Sequence, residues 1–339
     1  MKKILIIYTG GTIGMVYDES NKSYQPFDFK QIFNQVPELK KIQVNLSVQS
    51  FNPPLDSSNM QPHHWIQLAK AIDNNYEKYD GFVVLHGSDT MAYTASALSF
   101  MLENLSKPVV FTGSQLPVGE IRTDAKENLI TAIEIAASEI KGKAAVPEVC
   151  IYFDYNLYRG NRTSKYNSEK FEAFQSVNYP VLAEAGVHIK FNQQVIMKAS
   201  GKNLIVHTEL DSSVGILKIF PGISKSWTES ALMAPGIRAI ILETFGAGNA
   251  PTDNWFIDAV TKTVQSGRVV VNVTQCGGGR VEQGRYETSR HLEAAGVVSG
   301  FDMTTEAALA KLMYLMGRKY AGLRLKEQFQ KDLRGELTV

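Results

Sequence analysis

Short, nearly uninterrupted apolar runs alternate along the chain with stretches in which apolar residues recur every three or four positions. The runs at 3–8, 81–85, 108–112 and 148–153 predict strands. Within 61–79, Trp65, Leu68, Ala69, Ile72 and Tyr76 fall on one helical face. Within 122–140, Ala125, Leu129, Ile133, Ala136 and Ile140 do the same. These strands lack the apolar–polar alternation of a half-exposed sheet, which predicts parallel strands covered on both faces. An α/β layered domain follows.

Residues 190–212 interrupt the pattern. They are polar, with Gly201 in the middle, and predict a linker with one extended segment. The pattern then resumes, with strands predicted at 214–220, 239–243 and 269–274 and helices at 253–265 and 304–318. The expected fold class is therefore α/β, with two domains that each hold a mainly parallel sheet flanked by helices. The larger covers 1–190, a linker covers 191–212, and the smaller covers 213–339. A length of 339 residues fits roughly two domains of about 150 each.

Composition narrows the classes of function. Hydrophobic residues make up 44% and charged residues 20%, an ordinary globular balance, and a net charge of +1 gives no broad field for nucleic acid or an anionic membrane. The start MKKILIIYTG imitates a signal peptide, yet its apolar core is only residues 4–7, shorter than the usual run of about 7–15. No stretch approaches the ~20 apolar residues that span a bilayer, so a cytoplasmic protein is expected. Cys150 and Cys276 fit no zinc or redox spacing. Two buried free thiols are the simplest reading, although a disulfide is a question of geometry. The six histidines show no metal spacing, and His63-His64 reads as the opening of a helix.

Chemistry concentrates where strands end. YTGGTIG at 8–14 leaves the first strand through two glycines, but it supplies neither the G-x-G-x-x-G of dinucleotide sites nor the lysine of a phosphate loop. Ligands of open parallel sheets bind beyond the carboxyl ends of the strands. Four motifs stand there: residues 9–14, LDSSN at 55–59, HGSDT at 86–90 and TGSQLP at 112–117. Together they carry Thr9, Thr12, Ser57, Ser58, Ser88, Thr90, Thr112 and Ser114, with the acids Asp56 and Asp89. A turn or a helix cap accounts for any one of them, and Ser88 or Asp89 would cap a helix at 90–102. Four hydroxyl-rich ends on one rim indicate a site. RGNRTSK at 159–165 reads by itself as a solvated loop, yet a lysine beside a buried hydroxyl serves as a base where desolvation lowers its pKa. No Ser-His-Asp arrangement is evident and G-x-S-x-G is absent, which argues against an α/β-hydrolase elbow. The residues alone lead to an α/β enzyme with a hydroxyl-rich site.

YTGGTIG, LDSSNM, HGSDTMAYTASALSFMLENL, TGSQLP, YRGNRTSK, GAGNAP and KDLRGELT, in that order over nearly the whole chain, resemble the cytoplasmic, type I L-asparaginases. The resemblance implies a large N-terminal and a small C-terminal α/β domain. It also implies hydrolysis of asparagine to aspartate and ammonia through a covalent acyl-enzyme, without metal or cofactor, in dimers often paired into tetramers. No nucleic-acid or membrane partner is expected. By this resemblance Thr12 is the nucleophile on a mobile flap, and Gly10 and Gly11 let the backbone approach the substrate. Backbone N–H groups at Gly11 and Ser88 are the expected oxyanion donors. Tyr24 matches the tyrosine beside the nucleophile, with Tyr17 as the alternative. Ser88, Asp89 and Lys165 form the second triad. Asp56, Ser57 and Asp89 hold the substrate's charged groups, and Asn249 reaches a neighbouring subunit's site.

Two positions depart from the pattern. Ser88 stands where most relatives have threonine, and its χ1 rotates more freely than that of a β-branched residue. Glu243 stands where allosterically activated relatives have an arginine suited to gripping an effector carboxylate. Two other readings compete. The asparaginase-like subunit of archaeal glutamyl-tRNA amidotransferase carries an extra N-terminal domain, for which a first strand starting at residue 3 leaves no room. A catalytically silent asparagine-binding or regulatory module on the same fold would not need every catalytic hydroxyl and Lys165. Preference for asparagine over glutamine is not legible, because one methylene is worth only about 1–3 kcal/mol of discrimination.

Overall fold

The computed structural model describes residues 1–18, 20, 22–26, 32–285 and 287–338. The chain divides into two compact units, Met1–Thr208 and Glu209–Val339.

The first unit is built on an eight-stranded sheet. Its strands are β1 (Lys2–Gly10), β2 (Val44–Leu55), β3 (Gly81–Leu85), β4 (Val109–Thr112), β5 (Val149–Phe153), β6 (Asn156–Arg159), β7 (Ala183–Ala185) and β8 (Ile189–Phe191). The spatial order is β8-β7-β6-β5-β4-β3-β1-β2. Strands β2, β1, β3, β4 and β5 run parallel, whereas β6, β7 and β8 extend one side as an antiparallel meander. Successive strand residues face opposite sides, and both sides are covered: Ile4, Ile6 and Tyr8 are as fully buried as Leu5 and Ile7. This is the parallel, two-faced sheet that the continuous apolar runs predict. The side of Ile4, Ile6, Val83, Leu85 and Val110 packs on Leu129, Ile133 and Ala136 of the helix Ala125–Ala137. Each such side chain contributes about 1.5–3 kcal/mol by leaving water.

Two more helices, Pro62–Asn75 and Met91–Met101, complete the frame. The first buries Trp65, Leu68, Ala69 and Ile72, and its start is fixed by the Gln61 N–H donating to His64 Nδ1 at 3.1 Å. The histidine pair thus opens a helix, as its position predicts. In the stretch 190–212, Ile205–Val206 pairs antiparallel with Leu102–Glu103, and the chain stays within the first unit as far as Thr208.

The second unit has a four-stranded parallel sheet, β9 (Val214–Lys218), β10 (Ala239–Thr244), β11 (Val269–Thr274) and β12 (Val298–Ser299), in sequential order. Ile240, Leu242 and Val270 share a core with Leu232, Phe256 and Val260 from the helices Lys225–Leu232 and Asn254–Gln265. In KDLRGELT the conspicuous residue is Glu336. Glu336 is fully buried, pairs with Lys311 of the helix Thr305–Gly317, and accepts from the N–H groups of Leu333 and Arg334.

Both cysteines are free, but only Cys150 is buried. Cys276 is exposed, because it follows β11 in a loop rather than lying inside a strand. Among the described residues no helix is long and apolar enough to cross a membrane, and no group of His, Cys, Asp and Glu is arranged to hold a metal ion.

Candidate active site

The carboxyl ends of β2, β1, β3 and β4 lie side by side, since these strands are neighbours and parallel. They carry the four predicted motifs onto one rim. The loops there are in backbone contact, and glycine makes that contact feasible. Gly10 and Gly11 have φ of +135° and +91°. A Cβ at Gly10 would lie 2.0 Å from the Leu55 carbonyl oxygen, and one at Gly11 would lie 2.5 Å from the Gly87 nitrogen. The room that these residues leave is therefore filled by neighbouring strand ends, so the loop of Thr12 is clamped against those of Ser57 and Ser88. Beyond the clamp, Thr12–Gly14 forms a 3-10 turn whose Ile13 is fully buried. Among the described residues the half-buried Thr12 hydroxyl has no hydrogen-bond partner. A hairpin of Met15–Asp18 and Ser23–Pro26 follows, with Tyr17 opposite Tyr24. Tyr24 is described only through its backbone, and its side chain lies outside the described residues.

The hydroxyls of the rim divide by role. Thr9 and Thr112 are buried and tie strands together, donating to the carbonyls of Leu85 and Tyr152, each at 2.9 Å. Thr90 ties two loops by donating to the Ser57 carbonyl at 2.7 Å. Asp56 caps the turn Ser57–Asn59. The Ser58 N–H and hydroxyl both donate to it at 2.8 Å and hold its carboxyl below the usual range, so it stays ionised. Ser57 is buried beneath it.

Ser88 and Asp89 cap no helix. The turn Ser88–Thr90 runs into the helix Met91–Met101 with no side-chain cap, and both residues instead face Lys165. Lys165 Nζ donates to Ser88 Oγ at 2.8 Å and to Asp89 Oδ1 at 2.7 Å. Asp89 is 67% exposed, so this pair contributes little to stability and leaves the carboxylate open to a ligand. The segment that delivers Lys165 is not the solvated loop its charges suggest. Arg159 is buried in an ion pair with Glu148 at 2.7 Å, and its guanidinium lies 4.3 Å from the Tyr179 ring. Gly160, Asn161 and Arg162 are buried too. Lys165 itself is fixed by a short antiparallel pairing with the buried Phe174.

Sequence reasoning passed over two residues of this rim. His86 is enclosed, and burial pushes its imidazole down to about 4. Gln115 accepts from Ser88 Oγ at 3.2 Å. Each sits inside a motif already placed at a strand end, and that position was the available signal. Asn249 belongs to the second unit, in a turn closed by paired hydrogen bonds with Phe245. The rim offers Lys165 bonded to a hydroxyl and a carboxylate, the Thr12 hydroxyl without a partner among the described residues, and an open carboxylate, a set suited to attack on a polar carbonyl compound.

Residues 3–197 match the family described as "Asparaginase, N-terminal" and residues 213–329 match the "Glutaminase/Asparaginase C-terminal domain". L-asparaginase 1 of Escherichia coli is 43% identical over 341 residues, covering 99% of this chain and 98% of that protein. The mouse 60 kDa lysophospholipase is 40% identical over all of this chain and 63% of its own length. Among solved structures, L-asparaginase I from Vibrio cholerae superposes with a TM-score of 0.90 at 40% identity, covering 100% of this chain and 99% of that one. With both family regions matched in order and 43% identity over 98% of the Escherichia coli relative, the chain belongs to the asparaginase family.

Proposed function

We propose that this protein hydrolyses the side-chain amide of L-asparagine, giving L-aspartate and ammonia. The observation that carries the reading is the contact of Lys165 Nζ with both Ser88 and Asp89, on a rim where Gly11 presses the Thr12 loop against Gly87. Thr12 Oγ attacks the amide carbon, and its proton passes to a base. The flap tyrosine, Tyr24 or Tyr17, stands by resemblance next to it. The amide nitrogen takes a proton and departs as ammonia, which leaves a Thr12 ester. Water then attacks that ester, gives a proton back to Thr12 and releases aspartate, so one water is consumed per turnover. Backbone N–H groups at Gly11 and Ser88 bind the developing oxyanion. Lys165, through Ser88, handles protons, while Asp56, Ser57 and Asp89 hold the α-amino and α-carboxyl groups. A carboxylate facing an ammonium makes a charge-assisted hydrogen bond.

The active form is a homo-oligomer, a dimer or a dimer of dimers, in which Asn249 serves a neighbouring site. The place of work is the cytoplasm, as in the type I group that the motifs resemble. Light scattering on the purified protein checks the first statement.

Ammonia release from asparagine, glutamine and a peptide asparagine tests the activity. Thr12→Ala should lose at least ~10³-fold in kcat while remaining folded, since it removes the nucleophile and little core. Lys165→Met should lower kcat strongly and weaken binding less. Near-normal turnover by Thr12→Ala would remove the nucleophile assignment, and a Lys165→Met effect confined to KM would remove the proton role.

A further inference from the structure

The Ser88 hydroxyl has one proton and two lone pairs, and its surroundings leave no freedom in how they are used. Lys165 Nζ has no acceptor capacity as an ammonium, so it donates to Ser88 Oγ at 2.8 Å. Among the described residues its remaining hydrogen-bond neighbour is Gln115. Its amide orientation is fixed by Nε2 donating to the Lys170 carbonyl at 3.0 Å, which turns Oε1 towards Ser88. Oε1 accepts only, so the Ser88 O–H donates a hydrogen bond to Gln115 and a Ser88 lone pair accepts from Lys165. Gln115 is itself held from behind, because its backbone N–H donates to the Asp124 carboxylate at 2.9 Å and the Leu116 N–H donates to the same carboxylate at 3.1 Å.

We infer that Gln115 is the positioning residue of the second triad: it fixes the Ser88 rotamer and aims the Ser88 lone pair at Lys165. The inference rests on the asparaginase reading given above and deepens it. It also accounts for serine at position 88. A threonine hydroxyl is restrained at χ1 by its own methyl group, whereas serine has three accessible rotamers. Here the restraint comes from outside, through an acceptor 27 residues along the chain.

The test is a double-mutant cycle with a structural arm. Gln115→Leu keeps the approximate volume and removes the acceptor, and Gln115 is only half-buried, so the variant should fold. In the Ser88 protein it should lower kcat about tenfold or more with little change in KM, because the substrate-holding carboxylates are untouched. In a Ser88→Thr background, each variant compared with its own parent, the loss should fall to about threefold or less, since the methyl group then supplies the restraint. A crystal structure of Gln115→Leu should show Ser88 Oγ turned away from Lys165 Nζ. Equal fractional losses in the two backgrounds would assign Gln115 a purely structural part through Lys170 and overturn the inference. So would a Ser88 Oγ that stays within hydrogen-bond reach of Lys165 in the Leu variant. If the unmodified protein releases no ammonia from asparagine, the functional reading fails, and the crystallographic arm alone decides the part played by Gln115.

Discussion

Both ring nitrogens of His86 are engaged in a closed chain. Nδ1 lies 2.7 Å from the Gly87 carbonyl, an acceptor only, so Nδ1 carries the proton. Nε2 then accepts from Thr94 Oγ1 at 2.9 Å, and Thr94 takes the Trp65 indole N–H at 3.0 Å. A second proton on this ring would have nowhere to go, and burial already holds its pKa at about 4, below the ordinary 6.5. The sign of the consequence follows from linkage. The unfolded chain binds the proton first as pH falls, so the stability tied to a neutral His86 is complete above about pH 6.5. It is lost progressively down to about pH 4, to the extent of about 3 kcal/mol. The His86 ring resonance in an NMR titration should stay constant from pH 8 to about pH 5, and a midpoint near 6.5 would contradict the closed chain. In the sequence His86 is one polar residue among several in HGSDT, and nothing there separates a buried tether from a catalytic group.

The strand-end loops work as one element because they touch through glycine. Gly11 and Gly142 both have positive φ, at +91° and +76°, but differ in surroundings. A Cβ at Gly11 would meet the Gly87 backbone, whereas one at Gly142 would meet nothing within 4 Å. Gly142→Ala should therefore cost about 1 kcal/mol, from backbone strain alone, with normal turnover. Gly11→Ala should cost more, about 1–3 kcal/mol, and should cut kcat at least tenfold or so, because the Ser88 loop must move. Urea unfolding and ammonia release on both variants check the contrast, and equal effects would refute it. The long strand β2 is the element that a search for continuous apolar runs overlooks. It lies at the sheet edge, where Val44, Leu46 and Val48 pack on the core and the residues between them do not. Its signal is alternation, the mark of a strand covered on one face.

At the scale of the whole molecule, Glu243 bears on regulation. It lies in β10, and its carboxylate accepts from the Thr305 hydroxyl at 2.6 Å, in the first turn of the helix Thr305–Gly317. A negative charge is stabilised there by the helix dipole. The position is thus occupied by an anchored carboxylate, which would repel an effector carboxylate rather than hold it. Initial velocity against asparagine concentration for the purified protein should be hyperbolic, with a Hill coefficient near 1. Sigmoidal curves that disappear in Glu243→Ala would count against this.

The layers, the parallel central strands, most helix positions and the rim on which the chemistry gathers can be read from the order of residues. These follow from hydrophobic periodicity, a local property, and from the rule that parallel strands present their carboxyl ends together. Periodicity and spacing do not give the partners, and only the resemblance groups Lys165 with Ser88. Lys165 meets Ser88 across 77 positions, Gln115 meets it across 27, and Glu336 meets Lys311 inside the second unit. Nor did the charges of RGNRTSK disclose that Arg159 would be buried against Glu148. Periodicity says which face of an element is turned inward. A hydrogen bond or an ion pair depends on distances good to a few tenths of an ångström and on angles, and those are set only when packed elements hold both groups in place.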